Sequence, residues 1–334
     1  MNRMRWGHIF LCVVACCAII FFSTYKLFES PETWMDEGFI IQSVVGLLYT
    51  GALALPVAPG VFESAWYMTT GFPVVLPLAG AFALFGPSLE VARVVMVLFL
   101  FSFFAAVWIY ARAVFSERIS YLSVFFLICF APIYGNGRNV LGEVPGLLFI
   151  VLTLSLLLPK DPLTPRRATL LGVGAGIVVA TKPIFILFAA ALIVVLFFRR
   201  DEYALQKQLK FFLLGAWVPV CFWYVLQFGD ATIPQILTLY ANPHTIPLLD
   251  ALQSTMVRFY TEAQPAFFLM LLIVWAVSYG IRRFRREPVS AAEEVLLLFS
   301  VLVLCLYLRT AGYYRYFFRH KYSLCCTYRA RRCT

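Results

Sequence analysis

Acidic and basic residues suited to removing a group from a phosphate are grouped in a few short segments of the chain. Asp36 and Glu37 are adjacent, Arg138 and Glu143 flank a second segment, and Lys182 lies in a tight turn between two apolar runs. Transfer of this kind needs a carboxylate base that takes the acceptor's proton and cations that stabilise the departing phosphate. A metal ion that bridges carboxylates and phosphate can share the second role.

Each of these residues also has a simpler interpretation. An acidic residue near the membrane boundary can be an ordinary solvated loop residue, and Asp36 taken alone fits that description. Arg138 and Lys182 could pair with Glu143 or with lipid headgroups. Glu143, however, begins an apolar segment, where a charge is costly unless it is paired or functional.

The composition is that of an integral membrane protein. Of 334 residues, 62% are hydrophobic and only 13% are charged, which leaves too little charged surface for a soluble domain. The net charge of +10 does not indicate nucleic acid as a partner, because the basic residues form short clusters between apolar runs and not one basic face. Such clusters are typical of loops that orient transmembrane helices.

The apolar pattern predicts an all-α polytopic protein with about nine transmembrane helices. The runs are 8–27, 91–111, 119–133, 143–158, 166–181, 183–198, 209–228, 265–281 and 291–308. Each approaches the roughly 20 residues needed to cross a bilayer. The first run follows two arginines without a clear cleavage site, so we expect a retained signal anchor.

A tenth apolar stretch, 71–86, decides the topology. If it does not cross the membrane, every basic cluster up to the RRFRR sequence at 282–286 lies in the cytoplasm, as the positive-inside rule requires. If it crosses, every later cluster lies outside. We therefore expect 28–90 to be one long external loop with interfacial or re-entrant helices at 36–50 and 71–86. All the candidate residues then lie on the external face.

Cysteine and histidine give little support for a metal centre. None of the nine cysteines forms a CxxC pair and the three histidines are scattered, so the identity of any metal is unknown and a divalent cation is only a candidate cofactor. Residues 319–334 form an atypical basic tail that contains cysteine, separate from the predicted domain 1–318. Its abrupt composition suggests either a shifted reading frame, with a truncated C-terminus, or a solvated tail.

Several motifs resemble those of one enzyme superfamily. They are the Asp36–Glu37 pair, GFPVVLPLAGAFALFG (71–86), Arg93 in EVARVV, GRNVLGEVPG (137–146), ATKP (180–183) and AGYYRYFF (311–318). Their order resembles that in GT-C glycosyltransferases, closest in type to the dolichyl-phosphate-mannose-protein mannosyltransferases and the lipid A aminoarabinose transferases. The chain departs from the pattern at Gly-Phe-Pro, where a His-Pro-Pro type of sequence is common, and at Glu143, which is often Asp.

The resemblance implies an activity and roles for the residues. Such enzymes move a sugar from a polyprenyl-phosphate carrier to an acceptor hydroxyl, inverting the anomeric centre by direct displacement. Asp36 would be the base or orient the acceptor, and Glu37 and Glu143 would support it or a metal. The donor phosphate would face Arg138, Lys182 and Arg315.

The predicted partners are the donor lipid, the bilayer and a lipid, glycan or protein acceptor. The expected location is a bacterial inner membrane, with the site on the periplasmic side. Two other functions stay open. One is a transporter or lipid flippase. The sequence shows no internal repeat and the centres of the runs carry few charges, and both observations argue against this function. The other is an inactive, truncated family member.

Overall fold

The chain is predominantly α-helical in a computed structural model that describes residues 2–158, 161–240 and 247–309. The first helices are α1 (Asn2–Thr24), α2 (Met35–Thr50), α3 (Phe72–Phe85), α4 (Leu89–Val114), α5 (Glu117–Ile128), α6 (Ala131–Arg138) and α7 (Glu143–Ser155). They are followed by α8 (Pro165–Thr181), α9 (Ile186–Phe198), α10 (Arg200–Tyr203), α11 (Leu205–Phe228), α12 (Ile233–Tyr240), α13 (Leu248–Thr261), α14 (Ala263–Phe284) and α15 (Ala291–Arg309). A 3-10 turn, Pro183–Phe185, precedes α9. The predicted helical class is confirmed.

The protein is an integral, multi-pass membrane protein. Among the described residues, four helices are long and apolar enough to cross a bilayer, or five if the bent pair α5 and α6 forms one span. The predicted number of nine is not confirmed, because several of the predicted runs form short helices. For example, α7 and α9 have 13 residues each, which is about 20 Å of helix against a hydrocarbon core of roughly 30 Å.

Contacts divide the described chain into two units, one on each side of the bond between Thr232 and Ile233. In the first unit, α8 and α11 pack closely, as the spacing of Gly172 and Gly176 predicts. A Cβ at Gly172 would lie 2.0 Å from the carbonyl oxygen of Phe212. The absence of a side chain therefore lets the two backbones meet.

Segments of the first unit that were predicted to lie outside meet, together with the adjoining ends of apolar runs, at one end of it, here called the polar end (residues 25–37, 65–71, 138–143 and 180–183). For example, the Gly71 N–H donates to the Thr181 carbonyl oxygen at 3.2 Å. The predicted cytoplasmic segments meet each other instead, as where the Leu163 N–H donates to the Tyr203 carbonyl at 3.1 Å. The segments are therefore grouped as predicted, and the side of the membrane that each group faces stays a prediction.

The predicted helices at 36–50 and 71–86 are confirmed as α2 and α3. In α3 the side chains of Val74, Leu78 and Phe82 are buried, at the i, i+4, i+8 spacing of one helical face. They belong to a core that also contains residues of α2, the start of α4 and Val140.

The long loop also contains two short strands that sequence analysis did not predict. Strand β1 (Ala54–Ala58) pairs antiparallel with β2 (Val61–Ser64). Gly60 occupies the turn with a φ of +76°, which a residue without a Cβ adopts readily. Pro56 interrupts the strand signal because proline cannot donate to the ladder.

In the second unit, polar side chains join α14 to α15. The Arg282 guanidinium pairs with Glu293, and the Trp275 indole N–H donates to the same carboxylate at 3.1 Å. The Tyr279 hydroxyl donates to Glu294 at 3.1 Å. These contacts hold two of the four candidate spans together near one end of each helix.

Candidate active site at the polar end

A fully buried ion pair fixes the start of α2. Both Glu37 and Arg93 are 0% exposed. The Arg93 Nε donates to Glu37 Oε1 at 3.1 Å and Nη2 donates to Oε2 at 2.9 Å. The Val140 backbone N–H donates to Oε1 at 3.1 Å. Such a two-pronged arginine–carboxylate contact has a defined geometry, and both carboxylate oxygens are engaged by it.

Arg93 also binds the segment that precedes α2. Its Nη1 donates to the Leu27 carbonyl oxygen at 2.7 Å, and its Nη2 donates to the Pro31 carbonyl oxygen at 2.9 Å. One guanidinium, near the start of α4, thus binds both the segment after α1 and the first turn of α2. In the sequence, Arg93 was recognisable only as part of the family motif EVARVV. The available signal was a charged residue directly beside the long apolar part of α4.

Asp36 precedes Glu37 on α2, and its side chain leaves the helix about 100° away from that of Glu37. It is exposed, whereas Glu37 is buried, and its carboxylate makes no hydrogen bond or ion pair with any residue that the structure describes. Asp36 is therefore free to accept a proton from a molecule at the surface, while Glu37 is engaged in holding the turn. The two adjacent acids have different surroundings and fit different tasks.

A second ion pair joins the start of α7 to the end of α8. Lys182 Nζ pairs with Glu143 Oε1, and the two side chains are 21% and 36% exposed. The other oxygen, Glu143 Oε2, is buried without a hydrogen-bond partner in the described part of the chain. The pairing of Lys182 with Glu143, one of the alternatives left open by the sequence, is observed. Because both side chains are partly exposed, Lys182 can also meet a phosphate.

Gly71 lets the turn that carries Lys182 pack against the start of α3. A Cβ at Gly71 would lie 2.0 Å from the carbonyl oxygen of Ala180 and 2.8 Å from the indole nitrogen of Trp223. Any larger residue would push this turn away. The motifs at 71–86 and 180–183, which are far apart in sequence, therefore form one contact.

Arg138 is bound to the first external segment and not to Glu143. Its Nη1 donates to the Tyr25 carbonyl oxygen at 2.9 Å, and its Nε donates to the Tyr134 carbonyl oxygen at 3.2 Å. Neither acceptor is a charged group, and the side chain is partly exposed. Its positive charge remains available at the polar end.

Gln227, at the end of α11, was not predicted as part of this region. Its side-chain amide donates to the carbonyl oxygens of Trp66 and Met68, and its own oxygen accepts from Trp223 Nε1 at 2.7 Å. These bonds hold the segment after the β-hairpin in place. A polar residue at the end of an apolar run was the available signal.

The structure does not cover every predicted site residue. Arg315 and the tail 319–334 lie outside the described residues. Within 2–158, 161–240 and 247–309, no group of three or more His, Cys, Asp or Glu side chains is placed to hold a metal ion. The only acid described at Lys182 is Glu143.

Comparison with known proteins agrees with this architecture. A sequence model of the dolichyl-phosphate-mannose-protein mannosyltransferase family matches residues 73–226, which include α4 and α7 to α9. The structure superposes on ArnT from Cupriavidus metallidurans bound to undecaprenyl phosphate with a TM-score of 0.57 and 13% identity. It superposes on the Archaeoglobus fulgidus oligosaccharyltransferase with a TM-score of 0.55 and 15% identity.

The chain has the GT-C glycosyltransferase fold. The superpositions cover 92% of the chain and 59% of ArnT, and 91% of the chain and 47% of the oligosaccharyltransferase. The chain therefore spans about three-fifths or less of each protein. No curated protein sequence matches it. The GT-C resemblance inferred from the motifs is confirmed, and the ion pairs described above belong to the polar end of this GT-C fold.

Proposed function

We propose that the protein transfers a sugar from a polyprenyl-phosphate-linked donor to an acceptor hydroxyl. The GT-C fold supports this proposal, as does the lipid bound by ArnT, which is undecaprenyl phosphate. The observation that carries it is the contrast between Asp36 and Glu37. One carboxylate is exposed and unpaired among the described residues, while its neighbour is buried and fixes its position.

In the proposed reaction, Asp36 takes the proton of the acceptor hydroxyl. The hydroxyl oxygen attacks the anomeric carbon of the donor as the bond between that carbon and the phosphate oxygen breaks, and polyprenyl phosphate leaves with the bonding electrons. Attack from the side opposite the phosphate inverts the anomeric centre. A general base contributes a factor of about 10² to 10⁴ in rate. Removal of the Asp36 carboxylate should therefore produce a measurable fall in the rate of transfer.

Lys182 and Arg138 are the proposed partners of the donor phosphate. Each is partly exposed at the polar end, and each can stabilise the negative charge that develops as the phosphate departs. Glu143 keeps Lys182 in place in this proposal, and Glu37 is a positioning residue. Arg315 is a further proposed phosphate ligand.

The proposed site faces the non-cytoplasmic side of the membrane, and a bacterial inner membrane is the proposed location. The distribution of basic residues supports this orientation. The acceptor is a lipid, glycan or protein that reaches the external face.

The decisive variant is Asp36→Asn, because it keeps the size of the side chain and removes the base. We expect transfer to fall by at least about 10²-fold with the melting temperature unchanged. The assay uses proteoliposomes with a panel of radiolabelled undecaprenyl-phosphate sugars. Membranes from cells that lack the protein supply the acceptor.

Glu32→Gln is the matched control, since Glu32 is an exposed acid four residues before Asp36. It should transfer sugar at the normal rate. Transfer at the normal rate by the Asp36→Asn variant would contradict the proposed role. Flux of the sugar lipid across the bilayer without covalent product would favour a flippase instead.

A further inference from the structure

Three aromatic side chains, two of them exposed and Trp66 partly buried, form a cluster close to Asp36. The rings of Phe39 and Tyr67 meet edge to face with centroids 6.5 Å apart, and those of Tyr67 and Trp66 meet at 5.9 Å. Phe39 is 40% exposed and Tyr67 is 38% exposed. In these T-shaped contacts the edge of one ring meets the face of the next, and part of each ring stays open at the surface.

The backbone beneath these rings is held at several points. The Ala65 N–H donates to the Leu53 carbonyl at 2.9 Å, and the Met68 N–H donates to the Ala65 carbonyl at 3.0 Å. The Gln227 amide donates to the carbonyls of Trp66 and Met68. The rings of Trp66 and Tyr67 therefore project from a fixed segment, and that of Phe39 projects from a helix. A fixed backbone lowers the entropy that is lost when a ligand binds.

The cluster lies one helical turn from the proposed base. Asp36, Phe39 and Gln42 are exposed residues at i, i+3 and i+6 on α2. Side chains three residues apart on a helix are neighbours, with Cβ atoms about 5–6 Å apart. An acceptor hydroxyl within about 3 Å of Asp36 brings the rest of the acceptor over Phe39 and towards Tyr67.

The chemistry of this surface matches a pyranose ring. Such a ring has an apolar face of C–H groups that stacks on an aromatic ring, and a rim of hydroxyls that needs polar partners. The Tyr67 hydroxyl and the Gln42 amide can supply these partners. An acyl chain over the same surface would bury the Asp36 carboxylate and the Gln42 amide without hydrogen bonds, which is unfavourable.

We infer that Phe39, Tyr67 and Trp66 form an acceptor subsite that stacks a pyranose sugar, so that the acceptor is a saccharide. This inference rests on the proposed function for the role of Asp36. The saccharide is either a free glycan or the sugar headgroup of a lipid, and the chemistry of recognition is the same for both.

Saturation-transfer NMR tests the subsite without any turnover. The protein is placed in phosphatidylcholine nanodiscs, because maltoside detergents would supply competing sugar rings. The probes are methyl α-D-mannopyranoside and methyl β-D-glucopyranoside. We expect saturation of the ring C–H protons of at least one probe with the native protein and with the Asp36→Asn variant. Failure of the proposed reaction alone would leave this signal intact.

Phe39→Ala and Tyr67→Ala should each weaken the signal about fivefold or more, which is the low end of the roughly 5- to 150-fold that a nucleobase gains by stacking on an aromatic side chain. Tyr49→Ala is the matched control, since Tyr49 is 75% exposed near the other end of α2. Its signal should equal that of the native protein. Melting curves confirm that each variant is folded.

The inference is overturned if the native protein gives no saccharide signal, as expected if the rings only anchor in lipid headgroups. Equal signals from the native protein and Tyr67→Ala would also overturn it, as would an equal loss in Tyr49→Ala. In the transfer assay, extraction of the labelled product into chloroform–methanol identifies a glycolipid acceptor, and retention in the aqueous phase identifies a free glycan. Label found only on protein would contradict a saccharide acceptor.

Discussion

Replacing Arg93 by methionine is expected to cost about 3–5 kcal/mol of folding free energy, because a buried carboxylate then loses its counter-charge. In the native protein Glu37 accepts two hydrogen bonds from Arg93 and one from the Val140 N–H. Only the last would remain. The carbonyls of Leu27 and Pro31 would lose their donors as well, which adds to the cost in a buried region.

Thermal unfolding in detergent, followed by tryptophan fluorescence, measures this effect. A loss of 3–5 kcal/mol should lower the melting temperature by roughly 6–20 °C, taking about 2–4 °C for each kcal/mol. Glu37→Leu should destabilise the protein similarly, because it leaves the guanidinium buried and unpaired. Glu32→Gln, which changes an exposed acid, should melt like the native protein.

The double variant Glu37→Leu/Arg93→Met makes the experiment specific to the ion pair. Replacing both partners by apolar residues removes both buried charges, and such replacements are often close to neutral. We therefore expect the double variant to be more stable than either single variant, with a coupling energy well above that of independent sites. Melting of Arg93→Met within about 1 °C of the native protein, or additive losses in the double variant, would refute the reasoning.

Three further variants test other contacts. Lys182→Met should weaken binding of undecaprenyl phosphate at least about tenfold, since a hydrogen bond to a charged group contributes about 1.5–3 kcal/mol; an unchanged titration by native mass spectrometry would contradict this. Gly172→Leu should separate α8 from α11 and lower the melting temperature by several degrees, because even its Cβ would lie 2.0 Å from a backbone oxygen; native-like melting would show that the helices do not meet there. Gln227→Leu should speed hydrogen exchange at 65–70, where it removes two side-chain bonds to carbonyls, and unchanged exchange would argue against that role.

Features that depend on local pattern could be predicted from the sequence. The apolar periodicity of 36–50 and the apolar character of 71–86 predict two helices, and both are present. The spacing of Gly172 and Gly176 predicts a close helix contact, which α11 provides. These predictions succeed because side-chain periodicity and small-residue spacing act over one or two helical turns.

Features that depend on distant partners could not be predicted in the same way. Asp36 and Glu37 are adjacent acids, and nothing local distinguishes the exposed one from the buried one. Glu37 and Arg93 are 56 residues apart, so their pairing is fixed only when α2 packs against α4. The predicted number of nine spans is not confirmed, because apolar runs do not reveal how many of their residues form one straight helix.

Locating the donor phosphate tests the central claim most directly. A density map of the protein with undecaprenyl phosphate bound should show a phosphate oxygen about 3 Å from Lys182 Nζ, at the polar end and on the side of α2 that exposes Asp36. A phosphate bound instead near Arg112 or Arg167, among the segments predicted to be cytoplasmic, would contradict the proposed site.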